Sequence, residues 1–424
     1  MKAPTTSPTP PTSPRTLWGL LAIFVACYVG LVVSHPDLLR WVGVNHYGVW
    51  FLDSFAILAS NDALARGLDP YAVNPLDYFN RPHVYSHWWL RLRDLGLTRA
   101  DNFVVGLTLV IAFVAVAVAR LRPREPRELL WYLVVLCSSP VVLAVERANN
   151  DLVIFLLLAP VVPCLLASRR AVRWLAIFLI AAAAGLKFYP AIAALVLLAP
   201  AEAKEVRLRL AVMAAALAVV GLGLVRDLAG FSAIAPKAEG LMTFGAANLF
   251  EALGLAGRAA KSAGLAVGAA VAVGFWRTKI FAGWEIRAED RNAWLSFTLG
   301  AVLLTGCFFA GTNFAYRWVF ALWLAPLLWR VPRDAAAPAV VRRLAAAVAV
   351  LLAVALWLDA LVSAGLTRFA GKVPPDTLVQ WADRIFLVEQ PLTWALFAGL
   401  IGFLVHFART GLRGIGPRFT QDLK

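Results

Sequence analysis

The sequence has little charge for its length. Charged residues make up 15% of the 424 positions, whereas hydrophobic residues make up 61% and the mean hydropathy is +0.73. A soluble domain averages roughly 25% charged and 45–50% apolar residues. This balance excludes an ordinary soluble domain and predicts a protein embedded in a membrane.

Cysteine is also scarce, and its placement does not match a metal site. The four cysteines fall inside apolar runs without the spacing of zinc ligands, so we expect small core residues. His83 and His87 are four residues apart, which can suit a metal, but no third ligand follows nearby. The favoured interpretation of the surrounding Trp- and Tyr-rich stretch is an interfacial aromatic belt. We therefore expect no metal and no cofactor.

Long apolar runs recur from one end of the chain to the other. A membrane span needs roughly 20 apolar residues, and lipid offers backbone groups no water, so spans are helices or closed barrels. The runs are continuous rather than alternating, which favours helices. The sequence thus predicts an all-α polytopic membrane protein with about 12 spans, at approximately 17–34, 103–120, 129–145, 152–167, 172–187, 189–200, 208–225, 263–276, 293–310, 316–330, 342–364 and 390–407.

These spans are predicted to form a single transmembrane domain over residues 17–407. Residues 1–16 are rich in Pro, Ser and Thr, which predicts a disordered cytoplasmic tail. The apolar run that follows lacks a small-residue cleavage site, so we expect a retained anchor rather than a signal peptide. Residues 408–424 form a basic cytoplasmic tail.

The net charge of +15 sits mostly in short loops between apolar runs, where orientation signals lie, so it does not predict nucleic-acid binding. The uncertain segment is 171–200, which can be one long helix or two short ones meeting near Gly185–Pro190. Two helices place the basic loops on one side, whereas one helix inverts every later loop. The positive-inside rule and Pro190 therefore favour a broken or re-entrant pair, with both termini in the cytoplasm.

That topology places the long loop 35–102 outside, with the stretches 146–151, 226–262, 312–317 and 365–389. Within the loop, the pattern from Trp50 to Gly67 predicts a helix, with Arg66 in its last turn and Gly67 as the C-terminal cap. Asp53 lies in an otherwise hydrophobic turn of this helix. It is either a solvated surface residue or a carboxylate held at a cavity at membrane level.

Three cations share the predicted outer face with Asp53. A charge at membrane depth costs roughly 2.5–3.5 kcal/mol on insertion scales and usually faces a cavity or a partner. Snorkelling explains any one of Lys187, Arg147 and Arg317. Together with the carboxylate they suggest a site for an anionic amphiphile, and a lipid phosphate is the natural candidate.

Four motifs follow one another along the chain: Asp53 followed by Ala65–Tyr71, then Arg147–Asn150, Leu186–Pro190 and Asn313–Pro326. In this order they resemble the GT-C superfamily of membrane glycosyltransferases, most closely glycosyltransferase family 87, the polyprenyl-phosphate-mannose-dependent mannosyltransferases. The resemblance covers roughly residues 53–329. A paired acidic signature such as Asp-x-Asp is missing, and the second motif has Ala-Asn where the family pattern has Gly-Gln.

The resemblance implies a GT-C-like bundle that performs an inverting transfer at the outer face of a bacterial cytoplasmic membrane. The donor is a sugar, mannose or another hexose or pentose, on polyprenyl phosphate, and the acceptor is lipid-linked or a glycan. Asp53 is the implied general base. The implied phosphate-binding residues are Arg147, Asn150, Lys187, Tyr189, Asn313 and Arg317, and the candidates for sugar or acceptor contact are Asn61, Asp69, Tyr71, His83, His87 and Trp88.

Other functions remain open from the sequence. A polyprenyl-phosphate or lipid transporter needs a polar path across the bilayer, whereas the polar residues here gather at one face. A non-catalytic membrane subunit need not place a carboxylate beside several cations. A different lipid-linked transferase, such as an O-antigen ligase or polymerase, normally has larger outer loops with several arginines. If Asp53 is not the base, Asp62 or Asp69 takes that place.

Overall fold

The computed structural model describes residues 13–199, 201–234, 238, 240 and 242–413. Residues 1–12 and 414–424, which hold most of the two predicted tails, lie outside the described residues. Residues 14–16 of the predicted N-terminal tail belong to the first helix. Ser13 caps that helix because its Oγ accepts the Thr16 N–H at 3.2 Å, and Pro14 suits the first helical turn.

The regular secondary structure of the described chain is helical apart from two very short strands. Its α-helices are α1 (Pro14–Ser34), α2 (Leu52–Ala65), α3 (Asn102–Arg120), α4 (Pro126–Leu136), α5 (Ser139–Arg147), α6 (Asp151–Leu158), α7 (Val161–Leu166), α8 (Arg170–Leu186), α9 (Ala203–Ile234), α10 (Ala246–Ala252), α11 (Gly257–Arg277), α12 (Arg291–Ala310), α13 (Ala325–Arg330), α14 (Ala339–Phe369) and α15 (Pro375–Arg413). The 3-10 helices are Pro36–Val42, His87–Leu95, Arg99–Asp101, Tyr189–Leu198, Ala288–Asp290, Ala315–Trp323 and Val331–Arg333. The strands are β1 (Thr243–Phe244) and β2 (Asn313–Phe314).

Seven helices in the described part of the chain are long and apolar enough to cross a membrane. They lie in α1, α3, α9, α11, α12, α14 and α15, and the bent pair α4–α5 makes eight if it forms one span. The two helices of that pair meet at 54°, where Pro140 follows the break. An all-α, multi-pass membrane protein is thus supported, whereas the predicted number of 12 spans is not confirmed.

The missing spans correspond to short or interrupted helices. The predicted span 152–167 is divided between α6 and α7 at Pro160, which lacks an N–H and clashes with the preceding turn. Helix α8 has 17 residues, about 25 Å at 1.5 Å per residue, which falls short of a bilayer core of about 30 Å. The predicted spans 189–200 and 316–330 begin as 3-10 helices. Apolar composition was read correctly there, but it does not fix helix length.

Two local predictions are confirmed. The segment 171–200 is broken, since α8 ends at Leu186 and a 3-10 helix begins at Tyr189, directly before Pro190. The helix expected between Trp50 and Gly67 forms as α2, and Gly67 has a left-handed φ of 75° just past its C-terminal end.

Helix α12 lies at the centre of the bundle. In its most apolar stretch 72% of the residues are buried, against 17% in α1, α9 and α11. The outer helices leave large side chains such as Leu222 and Val219 exposed by 77% and 71%. Lipid tails are as apolar as these side chains, so such surfaces need no protein cover in a bilayer. The core therefore gathers around α12 and polar groups concentrate elsewhere.

The two strands fix the polar turn that follows α12. They pair antiparallel, Thr243 with Phe314 and Phe244 with Asn313. The Met242 N–H donates to Asp359 Oδ2 of α14 at 2.8 Å, which ties this segment to the bundle. The turn is thereby held beside α5 and α6, where the candidate site lies.

Candidate functional site

A cavity of about 320 Å³ opens where α2, α5, the loop before residue 87 and the segment after β2 meet. Its charged lining residues are Asp53, Arg81 and Arg147. Tyr85 and Tyr316 supply aromatic walls. Two cations, one carboxylate and aromatic rings around a common space can together bind a polar, anionic ligand.

Asp53 lies in the first turn of α2 with 9% of its surface exposed. A carboxylate there is favoured by the positive end of the helix dipole. Asn149 Nδ2 donates to Asp53 Oδ2 at 2.6 Å, and Arg81 Nη1 is 3.7 Å from Asp53 Oδ1. The Phe51 N–H donates to the Glu146 carbonyl at 2.9 Å, which joins the start of α2 to the end of α5. The carboxylate is therefore oriented rather than freely rotating.

Arg81 is held on two sides. Its Nε and Nη2 donate to the two oxygens of Asp77 at 2.9 and 3.0 Å, and Nη2 also donates to the Leu52 carbonyl at 3.1 Å. The backbone N–H groups of Phe79 and Arg81 donate to the same Asp77 oxygen at 2.9 and 3.0 Å. Such a bidentate arrangement fixes the guanidinium plane. The loop cation is thus presented to the cavity in one orientation.

The last residue of α5 supplies the second cation of the cavity. Arg147 Nε lies 2.8 Å from Glu146 Oε2, and the guanidinium carbon lies 5.0 Å from the centre of the Tyr47 ring. Glu146, which is 1% exposed, also pairs with His46 Nδ1 at 2.9 Å. Ala148 has a left-handed φ of 40°, a conformation that a residue other than glycine adopts only under strain. The strained residue turns the chain between α5 and α6.

Asn149 and Asn150 follow this strained residue, and both are almost completely buried. Asn149 Oδ1 accepts the Asp151 N–H at 2.8 Å, so the side chain that orients Asp53 also begins α6. Asn150 is 2% exposed, and neither its Oδ1 nor its Nδ2 has a hydrogen-bond partner. A buried amide without partners costs roughly 1–3 kcal/mol, and such a cost is often associated with function.

Asp151 is the centre of a second charged cluster behind the cavity wall. It has no exposed surface, and its Oδ1 accepts hydrogen bonds from Lys187 Nζ at 2.5 Å and Tyr189 Oη at 2.7 Å. Arg317 Nε lies 3.8 Å from Oδ2, an ion-pair distance. Lys187 Nζ lies 5.6 Å from the centre of the Tyr85 ring, which lines the cavity.

The structure therefore separates the three predicted cations. Arg147 faces the cavity, whereas Lys187 and Arg317 are bound to Asp151. Arg317 also stacks over Tyr189, with its guanidinium carbon 4.7 Å from the ring centre. Asn313 is occupied within its own turn, because its Nδ2 donates to the carbonyls of Cys307 and Gly311 at 2.6 and 2.5 Å.

The predicted contact residues Asn61, Asp69 and Trp88 have structural partners. Asn61 is 1% exposed and bonds the carbonyls of Ile57 and Trp89 at 2.8 and 3.0 Å. Asp69 is exposed and accepts the N–H of Tyr71 at 2.9 Å, an Asx turn. The ring of Trp88 packs against Gly185 near the end of α8. These side chains shape the loop that carries Arg81.

The two predicted histidines lie apart from the cavity wall. His83 is 2% exposed, its ring packs edge-on against Tyr71 and Tyr85, and burial lowers its pKa to about 4, so the ring is neutral at pH 7. His87 Nδ1 lies 2.8 Å from Asp227 Oδ2 of α9. Burial raises the pKa of Tyr71 to about 12, so its hydroxyl stays protonated. Neither histidine lines the cavity that Asp53 lines.

Sequence reasoning singled out Asp53 and Arg147 but missed the partners that position them. Asn149 and Asp151 were seen only as parts of a polar turn. A usable signal existed, because a carboxylate that opens a Leu-rich helix in a membrane needs a cation. The ion pair of Asp77 with Arg81 forms within a non-helical turn, and the sequence analysis did not predict it.

Comparison with protein-family models, with curated proteins and with solved structures finds no match to this chain.

Proposed function

We propose that this protein is an inverting membrane glycosyltransferase that takes its sugar from a polyprenyl-phosphate donor. The observation that carries the proposal is a cavity lined by a buried carboxylate and two oriented guanidinium groups, Asp53, Arg81 and Arg147. It lies in a multi-pass membrane protein, where a lipid-linked donor can approach from the bilayer.

Two features support an anionic donor. Guanidinium forks match the geometry of phosphate oxygens, and Arg147 and Arg81 both line the cavity. Their own carboxylate partners, Glu146 and Asp77, fix them in place, so little side-chain entropy is lost when a phosphate binds. Electrostatic stabilisation of charge that builds on a leaving phosphate is often the largest catalytic term.

Asp53 suits the role of general base. In the proposed step the acceptor hydroxyl gives its proton to the Asp53 carboxylate, and the acceptor oxygen forms a bond to the anomeric carbon. The bond from that carbon to the phosphate oxygen breaks, and the phosphate leaves with the electron pair. Attack from the face opposite the phosphate inverts the anomeric centre. A base must lie within hydrogen-bond reach of its proton, and the bond from Asn149 holds Asp53 in a fixed orientation.

The cluster around Asp151 has a positioning role in this proposal. Lys187 and Tyr189 hold Asp151 at the start of α6 through hydrogen bonds to its carboxylate. The Asp151 N–H donates a hydrogen bond to Asn149 Oδ1. Asn149 in turn orients Asp53. Lys187 therefore acts on the base through two other residues. Its charge also lies close behind the Tyr85 ring, which favours a negative group in the cavity.

The test is sugar transfer by the purified protein from a panel of radiolabelled polyprenyl-phosphate sugars. Asp53→Asn keeps the size of the side chain and its bond to Asn149 but removes the base. We expect at least a hundredfold lower transfer with donor binding unchanged, in line with the usual contribution of a general base. Asp94→Asn, at an exposed position of the same loop with no role in the proposed site, is the matched control and should keep full activity.

The outcomes separate the alternatives. If Asp53→Asn transfers at the wild-type rate, the base lies elsewhere, and Asp62→Asn is the next variant to assay. If wild-type protein transfers no sugar from any donor but moves the labelled lipid between leaflets of a vesicle, the protein is a transporter and the proposal fails.

A further inference from the structure

A second charged cavity lies at the other end of the bundle. Its volume is about 210 Å³, and its charged lining residues are Arg173, Glu205, Arg209 and Arg291. Arg173 is near the start of α8 and Lys187 follows its end, so the two sites are separated by about 20 Å along this helix. None of these four residues belongs to the candidate glycosyltransferase site.

The cluster is built into the fold by direct contacts. Arg173 Nε and Arg209 Nη2 both donate to Glu205 Oε1, at 2.8 and 2.6 Å. Arg173 Nη1 also donates to the carbonyls of Ala167 and Ser168, at 3.0 and 2.8 Å. The start of α8, the start of α9 and the end of α7 are thereby joined. These hydrogen bonds hold both guanidinium groups in fixed positions at the cavity.

Arg209 is the unusual member of this cluster. It is only 5% exposed, and its Nε has no hydrogen-bond partner. Burial of a charged group whose N–H donor has no partner costs free energy, unless an acceptor forms a hydrogen bond with that donor. Because Arg209 lines the cavity, that acceptor can be supplied by a molecule bound there.

The charge of the cavity identifies the class of ligand. Three arginines against one glutamate leave two positive charges in excess among the lining residues. Guanidinium groups bind phosphate oxygens through paired, charge-assisted hydrogen bonds. Leu165 and Leu295 line the same cavity, so an apolar wall adjoins the charged one.

We propose that this cavity binds a phosphate group, with Arg209 and Arg173 as its principal ligands. The group can belong to the head of an anionic phospholipid in the adjacent leaflet or to a free phosphate compound. This site is separate from the one that holds Asp53, and the proposal stands whether or not the protein transfers sugars.

The test measures thermal unfolding of the full chain in a neutral detergent by tryptophan fluorescence. Three additives are titrated at constant ionic strength: dioleoyl-phosphatidylglycerol, dioleoyl-phosphatidylcholine and inorganic phosphate. Stabilisation by phosphatidylglycerol alone identifies a lipid headgroup, and stabilisation that includes inorganic phosphate identifies a site for phosphate in general. No stabilisation by either anion overturns the proposal.

Variants then locate the effect. We expect Arg209→Gln to weaken the apparent affinity at least tenfold, whereas Arg207→Gln, an exposed arginine on the same turn of α9, changes it less than twofold. Equal losses in the two variants mean that anions act on surface charge in general, which overturns the proposal. Should Arg209→Gln fail to fold, Arg173→Gln, whose side chain is 22% exposed, decides the matter, since unaltered binding in that variant also overturns it.

Discussion

At the scale of single residues, Lys187 and Asp151 form a buried ion pair behind the cavity wall, with side-chain exposures of 8% and 0%. Such a pair is weak evidence for stability by itself, because desolvation offsets much of the attraction. Removal of one partner is different, since it leaves the other charge buried without compensation. The two residues are not equivalent here. Asp151 retains Tyr189 and Arg317 when Lys187 is lost, whereas Lys187 and Arg317 lose their shared carboxylate when Asp151 is lost.

This asymmetry predicts the outcome of a double-mutant cycle. Asp151→Asn should destabilise the protein by about 3–5 kcal/mol and Lys187→Met by less, and the double variant should lose less than the two single losses added. The measurement is unfolding of each variant in the same detergent. Arg99→Gln is the control, because the ion pair of Arg99 with Asp62 is more exposed and should contribute about 1 kcal/mol or less. Additive losses at Lys187 and Asp151 would contradict the pairing.

The sequence predicted which of these residues are unusual but not what they touch. A lysine at membrane depth demands a partner, and Lys187 has one in Asp151. The sequence could not select Asp151, which lies 36 positions earlier, or connect Asn149 to Asp53 across 96 positions. Those separations are closed by packing between helices, which local sequence patterns do not encode.

At the scale of elements, the break after α8 is held by an aromatic contact from the loop. The ring of Trp88 lies where a Cβ on Gly185 would stand, and the Trp89 indole donates to the Leu186 carbonyl at 3.1 Å. Both contacts immediately precede Lys187. The loop that carries Arg81 is thus docked on the end of α8, directly before Lys187. The relative positions of Arg81 and Lys187 therefore depend on the absence of a side chain at Gly185.

Gly185→Ala tests this dependence. In a helix interior alanine is more favourable than glycine by about 1 kcal/mol of helix stability. At position 185, however, the added methyl group collides with the Trp88 ring. We therefore expect lower thermal stability and lower sugar transfer, with partial recovery in the double variant Gly185→Ala with Trp88→Ala. Gly274→Ala in α11 is the matched control, since nothing lies within 4 Å of its added Cβ, and it should be neutral or stabilising. A stabilised Gly185→Ala protein would show that the Trp88 contact is not restrictive.

Elements with explicit end signals were predicted best. Helix α2 was located because Arg66 and Gly67 mark its end, and the break near Pro190 because proline cannot continue the hydrogen-bond ladder. The number of spans was not predicted, since an apolar run such as 152–167 has the composition of a span whether or not it stays straight. Short and broken helices can exist at membrane depth where other helices bury them, and composition alone does not distinguish them from complete spans.

At the scale of the whole molecule, the polar groups divide between two ends of an apolar bundle. The cavity of Asp53 lies at the end where α5 meets α6, and the cavity of Arg209 lies where α8 and α9 begin. Helix α8 connects the two, from Arg173 to the residue before Lys187. Three arginines, near the starts of α8, α9 and α12, lie at the Arg209 end, and positive charge is retained on the cytoplasmic side of a membrane. On this basis we propose that the cavity of Asp53 opens at the outer face.

Cysteine labelling with a membrane-impermeant maleimide tests that assignment. Val73, which is 62% exposed in the loop 35–102, and Ala335, which is exposed between α13 and α14, are replaced by cysteine in a Cys27→Ser background. We expect Val73→Cys to react in intact cells and Ala335→Cys only after permeabilisation, because the positive-inside rule retains the arginine-rich turn around Ala335 in the cytoplasm. The reverse pattern would place the cavity of Asp53 in the cytoplasm. A donor flipped to the outer leaflet could not then reach it, and the proposed transfer would have to use a cytoplasmic acceptor.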